Sequence, residues 1–395
     1  MKWELFFGRA PIYCCVKPAY KYDKGMTVGD LTLASCIITT RHIDAVLGIK
    51  LDRDDPAIAL PGTKVYRVDL PTKIEMTHRK AFQSGAKSAF RKLLKMIVED
   101  SGKDLKAFTI GSVGPLRTSI EGKGDPVRYG QILPDNVLRQ WNGLNFRDVA
   151  KQVFEELKMP NVLIRIRPDC GLIALGEYYY RQQHDFLASE NSDQSDNEIR
   201  DESVLAYLKF SREVNGGIVV GGQIWRGRRH SQFGVLHPQR ALINGKPDEF
   251  TSQCKIHNNR PCIGGMVGTK AIEARLRDAG EGASIHDLDS SHPVKQAVAS
   301  YIAQMCLNTM AILTPTLIVI GGRTVNDTRE DTVEGQPQQL LEMVTQEFGA
   351  LIDRSYESFD LPELHRVDGY IQPPINDLSG LYGGLIFGAR QLDQQ

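Results

Sequence analysis

Asn161 to Tyr180 reads NVLIRIRPDCGLIALGEYYY. Val162, Leu163, Ile164 and Ile166 make a short apolar, largely β-branched run of the kind that suits a buried strand. The run stops at Pro168. Asp169, Cys170 and Gly171 follow, and Leu172 to Tyr180 then reads as a helix. A carboxylate therefore sits where a strand ends and a helix begins. Ligands of open α/β sheets bind outside the carboxyl ends of strands, and a carboxylate there can take a proton from a substrate hydroxyl. Asp is also a favoured N-cap, and on this stretch alone capping accounts for Asp169.

Working outward, the same alternation of strand and helix recurs. Trp3 to Phe7, Ile12 to Val16, Leu31 to Thr39 and Val65 to Leu70 read as a meander of strands. His78 to Glu99 carries Phe82, Ala86, Phe90, Leu93, Leu94 and Ile97 at helical spacing. Ala107 to Val113 reads as a strand ending in the turn Gly111 to Pro115, and Phe146 to Leu157 as a helix. Phe186 to Ser203 is acidic and rich in Ser and Asn, which suits a solvated loop or linker. A second unit opens with the strands Val204 to Phe210 and Gly217 to Ile224. It continues with the helix Pro293 to Leu313, the strand Leu317 to Ile320, the helix Gln338 to Ile352 and a Gly-rich helix from Leu378 to Leu392. The expected organisation is an N-terminal α/β lobe over residues 1–186 with an insertion near 20–60, an acidic linker over 187–203, and a C-terminal α/β lobe over 204–395 whose last helix returns to the first lobe.

Composition bounds the function. The chain has 395 residues, 41% hydrophobic and 24% charged, with a formal net charge of +0. It can build a large core, and its charge balance argues against a generic electrostatic grip on nucleic acid or an acidic membrane. The best basic patch is Arg226 to Arg229. No apolar run is long enough to span a bilayer, and the N-terminus lacks a long apolar h-region. Seven scattered cysteines fit a reducing compartment better than a disulfide framework, so a cytoplasmic location is expected.

Two groups of residues carry chemistry. Cys254, His257 and Cys262 lie in one polar loop. Thiolate and imidazole are the usual zinc ligands, and tetrahedral zinc takes four, so His237 or His230 is the expected fourth. The strand Pro315 to Ile320 runs into Gly321 and Gly322, where a backbone can approach a nucleotide closely or simply turn.

These pieces, in this order, resemble the ROK family of sugar kinases and repressors, and within it the bacterial fructokinases. Phe108 to Pro115 is similar to the family's Ile-Gly-Ser-Phe-Gly-Pro turn. Asp169 to Glu177 is similar to its Asp-Val-Asn-Ala-Ala-Ala-Leu-Gly-Glu segment. Cys254 to Arg275 resembles the zinc loop and the helix after it, Ile318 to Gly322 the adenosine-side Ile-Leu-Gly-Gly motif, and Tyr370 to Pro374 with Ser379 to Gly383 the closing segments. The resemblance implies a two-lobed, actin-like ATPase (ribonuclease H-like) fold with ATP and Mg²⁺ in the interlobe cleft. It implies Asp169 as the base on a hexose 6-hydroxyl, Gly321, Gly322 and Gly383 on the nucleotide side, and zinc on Cys254, His257, Cys262 and His237. The partners it implies are a sugar or nucleotide ligand, with a homodimer as the assembly to look for.

Working positions then depart from the family pattern. The first phosphate loop is expected at Phe6 to Pro11, which has no acid for Mg²⁺. The second, Gly-Thr-Gly-x-Gly in the family, reads Ser211 to Asn215. Gly171 replaces the sugar-binding Asn, Gln232 and Val235 replace the Glu and His of Glu-x-Gly-His, and Gly264 replaces the Glu after the last zinc Cys. The expectation is a fructokinase-like protein of weak or lost activity, with a non-catalytic pseudokinase as the alternative.

Overall fold

The computed structural model describes residues 31–50, 58–59, 64–71, 79–117, 128–134, 139–183, 203–225, 232–282, 284–326, 339–356 and 369–394. The expected strands Trp3 to Phe7 and Ile12 to Val16, and the acidic stretch up to residue 202, lie outside them.

Two sheets share one plan. The N-terminal sheet opens with an antiparallel hairpin, β1 (Leu31–Ile38) and β2 (His42–Lys50). Strands β3 (Ile58–Ala59) and β4 (Tyr66–Asp69) add to β2. On its other side β1 pairs parallel with β5 (Leu105–Ser112), which pairs parallel with β6 (Leu163–Pro168). The C-terminal sheet repeats this: a hairpin of β7 (Val204–Phe210) and β8 (Val214–Val220), then β12 (Leu317–Gly321) parallel to β7 and β13 (Ile371–Gln372) parallel to β12. The short β9 (Gln223–Ile224) extends β8, and β10 (Leu242–Ile243) and β11 (Lys246–Pro247) form a separate ribbon. The segment expected as part of an insertion is therefore the central hairpin of the first sheet. Strand β2 was hidden because Ile43, Ala45, Val46 and Ile49 break the strict alternation of a one-sided strand, being covered on both faces.

Helices cover both sheets. Helices α1 (Arg79–Ser101) and α2 (Phe146–Glu156) lie on the outer face of the first sheet. Phe82, Phe90, Leu93, Leu94 and Ile97 of α1 are fully buried, and each such side chain contributes roughly 1.5–3 kcal/mol. Asn145 caps α2, its side chain accepting from the amides of Arg147 and Asp148. The outer face of the second sheet carries α4 (Ile263–Val267), α5 (Thr269–Asp278), α6 (Pro293–Leu313) and α7 (Gln339–Tyr356).

Between the sheets lie α3 (Asp169–Gln183) and α8 (Ser379–Asp393). Leu172, Leu175 and Tyr178 of α3 pack with Leu205, Tyr207 and Val319 of the second sheet. Leu381, Leu385 and Ala389 of α8 pack with Leu33, Ala107 and Leu163 of the first. The two helices meet at Gly176 and Gly383: a Cβ on Gly176 would stand 1.9 Å from the Ser379 carbonyl oxygen, and one on Gly383 1.8 Å from that of Leu172. Buried Glu177 locks the crossing. It accepts from Ser379 Oγ at 2.5 Å, from the Ile375 amide at 3.1 Å and from Arg181 at 3.2 Å.

Candidate active site

The parallel strands of both sheets deliver their carboxyl ends to one region. Strand β6 ends at Pro168, so Asp169 is the first residue of α3. Asp169 as a residue is 4% exposed. Oδ1 accepts from the Cys170 amide at 2.9 Å. Oδ2 accepts from Lys209 Nζ at 2.7 Å, across from one sheet to the other. Burial works against the Lys209 charge, but the Asp169 carboxylate outweighs it and holds the ammonium well above the ordinary lysine range. Lys209 is the functional residue that sequence reading passed over. Its signal was there: one lysine near the end of the otherwise apolar strand VLAYLKF.

Two hairpin turns flank this pair. Among the described residues the first hairpin of the N-terminal sheet turns at Thr39 to Arg41, where the Thr39 hydroxyl accepts from the His42 amide at 3.0 Å. The expected first phosphate loop, Phe6 to Pro11, lies outside the described residues. The second turn, Ser211 to Glu213, joins β7 to β8. It is braced by two neighbours: the Thr324 amide donates to Phe210 O at 3.1 Å and the Thr269 amide to Ser211 O at 3.0 Å.

Glu213 carries the unusual carboxyl of the cleft. One of its oxygens is buried without a hydrogen-bond partner. Burial first and the Asp169 charge second push it up to about 7 from an ordinary 4.5, with Lys209 and Arg212 acting the other way. The folded chain thus holds this proton more tightly than the unfolded chain does. Glu213 supports the folded state fully below about 4.5, and that support is lost as the pH rises through about 7. Glu213→Gln is therefore expected to gain about 3 kcal/mol of stability relative to wild type between those pH values. Urea unfolding curves for the two proteins at pH 4.5 and 7.5 check this; a pH-independent gap contradicts it.

The remaining expected residues fall as follows. A Cβ on Gly322, whose φ is +100°, would stand 2.2 Å from Phe210 O. One on Gly321 would meet the Tyr207 hydroxyl at 2.5 Å. Both are close-approach positions at the end of β12, beside the second hairpin. Gly383 is the crossing glycine of α3 and α8. Gly171 faces Ile224, so an apolar side chain stands near Asp169 where the family pattern has a polar residue, whereas Phe233 lies over Gly216 on the face of β8 opposite the one Gly217 turns to Cys170. Gly264 comes against Gly234, which brings the Gln232 to Val235 segment to the start of α4.

Cys254, His257 and Cys262 converge, their ligating atoms all within 4.8 Å of one another and Cys254 Sγ 3.3 Å from His257 Nδ1. The His237 ring centroid is 5.6 Å from that of His257, and His237 Nδ1 pairs with Pro261 O at 2.5 Å. His237 is not one of the three residues whose ligating atoms converge; its backbone contact is of the kind that can orient an imidazole toward a metal. The donor set fits zinc. It does not extend to Mg²⁺ in the cleft. Magnesium is held through carboxylates and water, and the carboxylates at this site among the described residues are Asp169, engaged by Lys209, and Glu213, whose pKa burial pushes up to about 7.

The profile of the ROK family matches residues 62–352. A fructokinase of Pediococcus pentosaceus is 28% identical over 188 residues, 47% of this chain and 56% of that protein, so the match spans little more than half of that relative. A Bacillus subtilis (strain 168) relative is 24% identical over 337 residues, 85% of this chain and 91% of its own. The crystal structure of a ROK hexokinase from Thermus thermophilus superposes with a TM-score of 0.56 at 15% identity, covering 92% of this chain and all of that one. Its likeness shows the fold: two lobes of the actin-like ATPase type. No helix among the described residues is long and apolar enough to cross a membrane.

Proposed function

Because the chain belongs to the ROK family, we propose that it is a fructokinase-like sugar kinase in which Asp169 takes the proton from a hexose hydroxyl. The observation that carries this reading is the place of Asp169: a buried carboxylate at the carboxyl end of β6, aimed across the gap at the second sheet's phosphate-side hairpin. Its two anchors leave lone pairs on both oxygens for a substrate hydroxyl. Phosphoryl transfer is mostly positioning plus charge stabilisation, with a base orienting the nucleophile. ATP supplies the phosphoryl group when bound.

The reaction is slow by the standards of the family. The sugar side has lost polar contacts at Gly171 and Gly264, and Lys209 already engages one oxygen of Asp169. A pseudokinase that binds ligands without transfer is the second reading, favoured by the Lys209 pair. Titration of fructose and of ATP into the protein, each alone and then together, tests both readings. Binding of both with hexose-dependent ADP release supports the kinase; binding without ADP release supports the pseudokinase; no heat with either ligand contradicts both.

The Cys254, His257, Cys262 and His237 group is proposed as a structural zinc site that pins the loop leading into α4. Elemental analysis of the purified protein is expected to find about one zinc per chain, lost in Cys254→Ser together with several degrees of melting temperature. Zinc-free wild type after growth in zinc-supplemented medium contradicts it.

A further inference from the structure

Helix α1 carries a charge pattern that its packing does not use. From Arg79 to Val98 its charged residues are Arg79, Lys80, Lys87, Arg91, Lys92 and Lys95, and the first acids are Glu99 and Asp100. Two of the cations are engaged. Arg79 donates to Asn142 O at 2.5 Å, and Arg91 donates to Glu156 and to Gln152 of α2, each at 2.9 Å. Lys80, Lys87, Lys92 and Lys95 are exposed and, among the described residues, make no ion pair or hydrogen bond. Lys80, Ser84, Lys87, Arg91 and Lys95 recur three and four apart, so they line one face turned away from buried Phe82, Phe90 and Ile97. From Lys80 to Lys95 this row spans about 22 Å of helix axis.

The pattern opposes folding. Lys87 and Arg91, and Arg91 and Lys95, stand one turn apart as like charges, which repel. The first described turn holds bases and no acid, and the last holds acids and no base, the reverse of what the helix dipole favours. Neighbouring α2 has the ordinary mixed arrangement, with Lys151 3.9 Å from Glu155 and Arg147 4.0 Å from Asp148. A counter-charge from outside the chain accounts for the α1 row where folding does not.

The shape of the row narrows the partner. The helices α1 and α2 lie side by side on the outer face of the first sheet, so a flat anionic bilayer would meet Asp148, Glu155 and Glu156 together with the lysines. A row on one helix suits a linear polyanion. Phe82 and Phe90 are buried in the core, so the row lacks the aromatic platforms on which single-stranded nucleic acid stacks. Its free cations are all lysines, whereas paired hydrogen bonds to phosphate are the work of arginine. Carboxylates on an extended chain need only point charges at intervals.

We propose that Lys80, Lys87, Lys92 and Lys95 form a docking surface for an extended acidic segment of a partner protein. Exposed charge contacts are individually weak and screened by salt, so this surface serves reversible association. It lies on the outer face of the first sheet, whereas Asp169 opens a helix between the sheets. Docking and the chemistry of the cleft are therefore separate properties.

Titration of fluorescein-labelled poly-L-glutamate, followed by anisotropy, tests the surface. Wild type binds at low salt, and the affinity falls as sodium chloride is added. The triple variant Lys80→Gln, Lys87→Gln and Lys95→Gln binds roughly 10-fold or more weakly, with a melting temperature equal to or above that of wild type. A charge-matched control, Lys158→Gln, Lys246→Gln and Lys270→Gln, alters exposed residues off α1 and binds like wild type. No binding by wild type, equal weakening in the control, or a melting temperature several degrees lower in the α1 variant overturns the proposal. Tighter binding to an oligonucleotide of matched charge or to phosphatidylserine vesicles, lost in the α1 variant, overturns it as well.

Discussion

Asp169→Asn is expected to lower the rate of hexose phosphorylation by about 10²–10⁴-fold, the usual worth of a positioned general base. The substitution keeps the shape and keeps an oxygen for the Cys170 amide. It removes the proton acceptor and the counter-charge for Lys209 at once. Sugar binding, measured by titration with fructose, should change by much less than the rate, because the amide still offers hydrogen bonds to a hydroxyl. The separation matters. A residue that only capped α3 would lose stability on substitution and leave the rate per folded molecule unchanged. An Asn variant that folds and turns over like wild type would remove Asp169 from the chemistry.

The second large effect is structural. Gly383→Leu places a side chain where a Cβ alone would stand 1.8 Å from the Leu172 carbonyl oxygen and 2.8 Å from the Gly176 amide nitrogen. These atoms are backbone of the two helices between the sheets, so they cannot swing aside. Overpacking a core costs about 1–3 kcal/mol and occasionally more. Here both helices must part, so a loss of at least about 3 kcal/mol in urea unfolding is expected. Because α3 begins at Asp169, the separation should also displace the base. Gly282→Ala is the control: a Cβ there meets nothing within 4 Å, and its effect should stay within about 0.5 kcal/mol. Equal unfolding midpoints for the two variants would mean the helices do not cross as described.

Much of this architecture is legible in the sequence, and the reasons are local. Long periodic elements declare themselves: α1 through Phe82, Phe90 and Ile97 at helical spacing, and α6 through Pro293 at its first turn and an apolar face. The strand before Asp169 is marked by its β-branched run and its proline stop. The glycines proved harder. Gly321, Gly322 and Gly383 carry the same residue name whether they admit a ligand or another piece of backbone, and the chain lacks any mark that tells these apart. In this fold each stands against protein atoms. Strand β2 escaped notice because covering on both faces erases the alternation that reveals a strand. The turn it shares with β1, Thr39 to Arg41, is hidden with it.

Charge was the least legible part. Lys209 and Asp169 are far apart in sequence and meet only because β7 and β6 belong to sheets that face each other across the cleft. Glu213 reads as an ordinary surface acid beside Arg212, yet the turn buries one of its oxygens. The altered second phosphate loop, Ser211 to Asn215, looked from its sequence like a loss. In the folded chain that turn is braced by the Thr324 and Thr269 amides and sets the partly buried Glu213 near the Asp169–Lys209 pair.

The central claim is that the buried carboxylate at the end of β6 still serves phosphoryl transfer to a sugar. A single-turnover experiment tests it most directly: enzyme in excess over γ-labelled ATP, fructose in excess over both, and labelled sugar phosphate followed with time. The account predicts sugar phosphate formed in a single exponential, slower than the roughly 1–100 s⁻¹ of typical kinases, and absent with Asp169→Asn. Label that stays on ATP in wild type, or that moves to fructose equally fast in Asp169→Asn, contradicts it.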